Sequence, residues 1–345
     1  MGSWPKRNWI YLVSLMLLLL GSVILAASVG AVSIPADVVA RIFLKGVSGF
    51  SSRGWPETYE VILLKIRFPR VILAAMVGMA LAVSGVAFQG IFKNPMADPY
   101  IIGVSSGAAL GATIAILVLG GWVGVFGFSL VPLLAFSGAV ATTLLVYNLA
   151  RVGSRVPVTT LLLAGIAVGT FLSAITSFLM VLGGKDLHAI IFWLMGGFSA
   201  KNWDHVKAVA PFIFLGLPIS LVYSRDLNLL LLGEERARQL GVEVESLKKI
   251  LITVASLLAA SAVAVSGIVG FVGLIIPHMV RLVTGPDHRI LIPCSALFGA
   301  SFVILTDLLA RTIMSPTEIP LGIITALFGA PFFIYLLKRG GKATF

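Results

Sequence analysis

WIYLVSLMLLLLGSVILAASVG, Trp9–Gly30, is a run of 22 residues without a charge. At about 1.5 Å of rise per helical residue it reaches roughly 33 Å, enough for a hydrocarbon core of about 30 Å. Inside lipid only a helix or a closed barrel satisfies every backbone N–H and C=O. The run is continuous rather than alternating, so it is a helix. Lys6 and Arg7 ahead of it resemble the basic region of a signal peptide. Because 22 apolar residues exceed a signal core of about 7–15, an uncleaved first span is expected.

Working outward, nine further apolar runs follow at about 69–92, 99–119, 127–149, 157–182, 207–223, 250–268, 271–284, 290–310 and 320–337. The expected fold is an all-α membrane protein with about ten transmembrane helices in a single domain over 1–345. The eighth run is short, and Gly270, Gly273 and Pro277 make it irregular. The stretch 188–196 is too short to span and reads as a partial or interfacial helix. Pro69, at the head of the second run, predicts a turn there. Gly103, Gly107 and Gly111, like Gly165, Gly169 and Ser173, recur four apart, the spacing of faces that let helix backbones approach. Movement of a solute across the membrane is the function class that follows.

Composition agrees. The 345 residues are 59% apolar and 11% charged, against about 25% charged in soluble domains. The net charge of +11 is spread over helix ends, a pattern of topology signals and lipid-headgroup contact rather than of nucleic-acid binding. With the N-terminus inside, 15 of the 25 Lys and Arg residues fall on the cytoplasmic side, which also puts the C-terminus inside. The other ten include Arg67 and Arg70, in KIRFPR, and Arg311. They read either as lipid-interface anchors or as a basic rim for an acidic external partner. The single Cys294 excludes an internal disulfide and reads as a small buried hydrophobe.

Chemistry is scarce. His188, His205, His278 and His288 show no metal-ligand spacing, no paired ionisable groups suggest a catalytic site, and no metal site or resident cofactor is expected. Asp307 is the one carboxylate well inside a span. Arg311, four residues on, offers it a local ion pair. No phosphate-binding loop is present: neither Gly184-Lys185 nor Gly341-Lys342 has the preceding glycine or the following Ser or Thr. ATP chemistry in this chain is therefore excluded by that route. The longest internal loop, RDLNLLLLGEERARQLGVEVESLKK (225–249), carries acids at Glu234 and Glu235 where a helix starts and Gly241 where it ends. Such a helix fits a groove in a soluble partner or lies on lipid.

Seven segments in chain order then become specific: KIRFPR (65–70), SGVAFQGIFKNPMADPYIIGVSSGAALG (84–111), TLLLAGIAVG (160–169), FWLMGGFS (192–199), LGEERARQLGV (232–242), GFVGLIIPHMVRL (270–282) and EIPLG (318–322). Together they resemble the FecCD-like permeases, membrane subunits of ABC importers for iron-siderophores, haem and cobalamin. The resemblance implies a type II ABC importer permease fold in a bacterial or archaeal plasma membrane. It also implies a second permease subunit, with a homodimer expected. Two ATPase subunits bind ATP and Mg on the cytoplasmic side, and a substrate-binding protein docks outside. Carried over residue by residue, it assigns binding-protein docking to Arg67, Arg70 and Arg311, and the cytoplasmic gate to Asn94, Met96, Val158 and Thr159. Glu234, Glu235, Arg236, Ala237, Arg238 and Gly241 take the ATPase coupling role. At 158–159 the chain departs from the cobalamin members, which carry two hydroxyl residues there. The competing class is a secondary transporter driven by an ion gradient.

Overall fold

A computed structural model describes residues 6–30, 32–48, 54–120, 130–153 and 155–339. Among them the chain is helical: α1 (Lys6–Ser28), α2 (Ala36–Ser48), α3 (Glu57–Val61), α4 (Phe68–Phe92), α5 (Val104–Leu119), α6 (Leu130–Ala150), α7 (Val158–Leu182), α8 (Leu187–Met195), α9 (Trp203–Val222), α10 (Ser224–Leu231), α11 (Glu234–Gln239), α12 (Val244–Ser266), α13 (Val272–Thr284), α14 (His288–Thr312) and α15 (Leu321–Arg339). Seven stretches are long and apolar enough to cross a membrane, and three shorter apolar helices complete ten. The expected all-α architecture of about ten spans holds. Part of the fourth expected span, 127–129, lies outside the described residues.

The bundle is built around α4. In the apolar 18-residue window of the helical run Glu57–Phe92, 89% of the residues are buried, and in the corresponding windows of α12 and α14 the share is 72%. Continuous apolarity with little amphipathic bias is what a helix surrounded by other helices needs. Lipid tails are as apolar as leucine, so close backbone approach supplies the packing. Gly78 of α4 faces the backbone of Gly299 on α14, and a Cβ there would collide with its carbonyl. Gly107 of α5 meets Gly138 of α6 in the same way. The glycine runs noted in the sequence thus serve packing within one chain. Cys294 is fully buried, as expected.

Pro69 does not make a turn. The chain runs helically from Glu57 through Ile62–Arg67, a π-helical stretch, into α4. Proline removes an i→i−4 donor and its ring clashes with the carbonyl four residues back. The π stretch relieves this: Phe68 N–H bonds Leu63 O, five residues back, so the backbone is already widened where Pro69 enters.

The predicted irregularity near 270 is present. After α12 the chain breaks at Gly267 (φ 69°) and resumes as α13 behind Phe271 (φ 69°). Non-helical backbone at membrane depth needs protein partners. Tyr100 Oη donates to Val269 O at 3.0 Å, and Gly197 N–H to Ser266 O at 2.7 Å. Leu321 N–H bonds Gly196 O at 2.9 Å. The short helix α8, the α12–α13 break and the start of α15 are thereby tied together.

Candidate functional site

At one end of the bundle Arg67, Arg70 and Arg311 come together, although they arise from chain segments far apart. The cause is the C-terminus of α1. A helix leaves its last four carbonyls without internal partners, and the last turn of α1 carries no basic residue of its own. Arg67 Nη1 donates to Ala27 O at 2.7 Å and Ser28 O at 3.0 Å, and its Nη2 donates to Val32 O. Arg311 Nη2 donates to Ala26 O. These two guanidinium groups cap α1.

Arg70 lies deeper in a charge cluster. Its Nη2 is 2.8 Å from Asp307 Oδ1, and its Nη1 is 2.7 Å from Glu318 Oε1. Ser199 Oγ also donates to Glu318. The Glu318 carboxyl is pulled upward by partial burial, but the Arg70 and Ser199 hydrogen bonds outweigh that and hold it below the ordinary carboxylate range. The pair expected between Asp307 and Arg311 is long, 3.9 Å, because Arg70 occupies the carboxylate. Arg67, Arg70 and Arg311, one of whose two sequence readings is a basic rim, are not freely exposed in this conformation. Arg67 is 5% exposed, and the Arg70 and Arg311 side chains 12% and 9%.

Beside this cluster lies a cavity of about 620 Å³. Phe192 and Trp193 of α8 give it an aromatic wall, and Arg70, Lys201, Glu318 and Leu321 also line it. No carboxylate among the described residues lies within ion-pairing distance of Lys201, and burial lowers its pKa to about 8. The sequence reading missed this cavity, since its walls come from α8, the 196–201 turn and the segment before α15. Its sequence signals were scattered over three motifs, FWLMGGFS, EIPLG and the last arginine of KIRFPR.

At the opposite end lie the residues assigned to gate and coupling. Asn94 is exposed, and its Oδ1 accepts Met96 N–H at 2.9 Å, fixing a tight turn after α4. Lys93 closes α4 in the left-handed region, φ 50°. Pro95 and Met96 pack beside His278 of α13 and Phe333 of α15. His278 Nδ1 is buried without a hydrogen-bond partner among the described residues. Val158 is half-buried and Thr159 exposed at the start of α7.

The coupling segment forms as predicted. Gly233 (φ 114°) opens α11, Glu234 and Glu235 occupy its first turn, and Gly241 (φ 88°) turns the chain out of it. Both glycines occupy conformations that side chains disfavour. Glu235, Arg236, Arg238 and Leu240 are exposed. Ala237, assigned to coupling, is fully buried in the core. α10 is anchored as well. Asn228 Nδ2 donates to Asp287 Oδ1 at 2.7 Å, while Asn228 Oδ1 accepts His288 N–H at 2.8 Å. Glu234 is pushed up by partial burial, but the hydrogen bond from Lys248 and the fields of Lys248, Lys93 and Arg238 hold it below its usual value. Among the described residues no group of three His, Cys, Asp or Glu side chains could hold a metal ion.

The arrangement is a membrane helix bundle with an aromatic-lined cavity bearing charged groups at one end, and an anchored short helix with two turns at the other. Comparison with known proteins agrees with that reading. The chain is 50% identical to the cobalamin import system permease protein BtuC of Halobacterium salinarum, over 83% of this chain and 75% of that one. It is 45% identical to the uncharacterized ABC transporter permease YvrB of Bacillus subtilis, over 93% and 92%. A solved metal-chelate type ABC transporter in an inward-facing conformation superposes with a TM-score of 0.81 at 35% identity, covering 95% of this chain and 98% of that one. The family model of the FecCD transport family matches residues 17–339, and the chain belongs to that family of ABC importer permeases.

Proposed function

We propose that the chain is the membrane-spanning subunit of a binding-protein-dependent importer for a bulky metal chelate, with a corrinoid as the first substrate to test. The arginine end faces outward, and both termini face the cytoplasm. Two ATPase subunits, carrying ATP and Mg, dock on the exposed face of α11. The external binding protein docks over the mouth of the cavity. Its acidic groups compete with Asp307 and Glu318 for Arg70, while Arg67 and Arg311 keep the rim in shape.

A second copy completes the pathway. The spanning stretch of α7 is only 11% buried, with Phe171, Phe178 and Val181 exposed by 65%, 63% and 83%. That face suits a partner helix or lipid. The turn at Asn94 and Met96, with Val158 and Thr159, closes the inner end.

The observation carrying this reading is the cavity, which combines the aromatic side chains of Phe192 and Trp193 with Lys201, a cation that has no carboxylate partner among the described residues. Flat rings favour a macrocyclic or otherwise planar ligand, and Lys201 favours one with acidic substituents. In proteoliposomes containing the permease, its ATPase and its binding protein, uptake of cyanocobalamin, ferric citrate and haemin is compared. Uptake of one of them, lowered by Trp193→Ala, supports the assignment. Uptake of none, with simple divalent ions transported instead, contradicts it.

A further inference from the structure

A charge network with one buried member, Lys248, joins α11 to the turn before α7, and no segment of sequence announces it. Its centre is Lys248, 3% exposed in the first turns of α12. Lys248 Nζ is 2.6 Å from Glu234 Oε1 and 3.8 Å from Glu245 Oε1. Arg238 bridges the same two acids, at 3.5 Å from Glu234 and 3.3 Å from Glu245. The other oxygen of Glu245 accepts the backbone N–H of Val156 at 3.2 Å. Val156 is 4% exposed and two residues ahead of Val158. Its turn is closed on itself: Val152 N–H bonds Arg155 O at 2.9 Å, and Arg155 N–H bonds Val152 O at 3.1 Å. Displacing Glu245 would therefore move that turn together with the start of α7.

Burying an ammonium is costly unless it is paired. An apolar side chain of similar size would often serve stability as well or better, so such networks are retained where geometry must be specified. The bonds run in series: α11 through Glu234 to Lys248, Lys248 to Glu245, Glu245 to the α7 turn. Lys93, next to Asn94, adds its field to Glu234. Both turns assigned to the gate thus border one network anchored on α11.

We infer that Lys248 and Glu245 form a strut that carries displacement of α11 to the turn before α7, with Lys248 as the positioning residue. The inference rests on the proposed function, in which α11 meets the ATPase and Val158 and Thr159 close the pathway.

The test uses the assembled permease–ATPase complex in nanodiscs. A Thr159→Cys spin label is placed on each permease subunit in a Cys294→Ala background. Label separation is measured without nucleotide and with ATP and vanadate, alongside complex assembly and ATP hydrolysis. In the parent complex trapping shifts the separation. Lys248→Met should assemble and hydrolyse ATP but lose the shift, and Lys248→Arg should restore it. A purely structural role would lower assembly and hydrolysis together and leave the shift intact in whatever complex forms. A full shift in Lys248→Met overturns the strut. If Lys248→Met does not assemble, Glu245→Gln, which keeps the shape and removes the charge, decides: a reduced shift supports the strut, and an unchanged one overturns it. A parent complex that does not assemble, or hydrolyses ATP with no movement at residue 159, overturns the functional reading itself, and the strut with it.

Discussion

Arg70 is the residue on which the arginine end turns. It is the shared partner of two carboxylates, Asp307 at 4% side-chain exposure and Glu318 at 35%. Removing one partner of a buried pair leaves an uncompensated charge, at a cost of about 3–5 kcal/mol. Arg70→Ala should therefore lower thermal stability in detergent by an amount in that range. Arg67→Ala should also destabilise, because it uncaps α1, and the loss should persist at high salt. A pure docking role predicts unchanged melting and a binding-protein association that weakens with ionic strength. Asp287 offers a pH test. Partial burial opposes its ionisation, but bonds from Arg289 and Asn228 bring its pKa to about 2. Its unfolded value is about 4. A depressed carboxylate stabilises the fold above its unfolded pKa, and that contribution fades as pH falls from about 4 to about 2. Asp287→Ala removes the N-cap of α14, at a cost of about 1 kcal/mol. The melting difference between parent and variant should be full at pH 6 and should shrink towards pH 2.

Among the elements, α11 separates contact residues from supporting ones. Ala237→Asp would put a charge in the core and should lower melting. It is therefore a probe of folding and not, as the sequence alone suggested, of coupling. Leu240→Ala alters an exposed side chain and should weaken ATPase association with melting unchanged; the reverse pattern would return α11 to a lipid-lying helix. At Gly241 a Cβ meets nothing within 4 Å, so only the left-handed backbone (φ 88°) resists substitution. Gly241→Ala should cost about 1–2 kcal/mol. The spans were legible as long apolar runs and α11 by its acids and glycine, whereas α2, α3 and α10, which lie outside the apolar runs, were not. The helical passage through Pro69 was not, because the π stretch that permits it depends on backbone bonding rather than on residue type. Side-chain partners were the least legible. Arg70 and Glu318 lie 248 positions apart, and nothing local in KIRFPR shows that its second arginine is already engaged. The buried setting of Lys248 was hidden likewise, since KK at 248–249 reads as an exposed loop.

For the whole molecule, we propose that energy enters from a separate ATPase at the α11 end and not from an ion gradient. Asp307, the carboxylate well inside a span, is engaged by Arg70 at 2.8 Å rather than left free to bind an ion. The most direct measurement is substrate accumulation in proteoliposomes whose ion gradients are collapsed by ionophores. With ATPase and binding protein present, accumulation should require ATP and stop with vanadate. Accumulation by the permease alone under an imposed proton or sodium gradient, unaffected by vanadate, would contradict it.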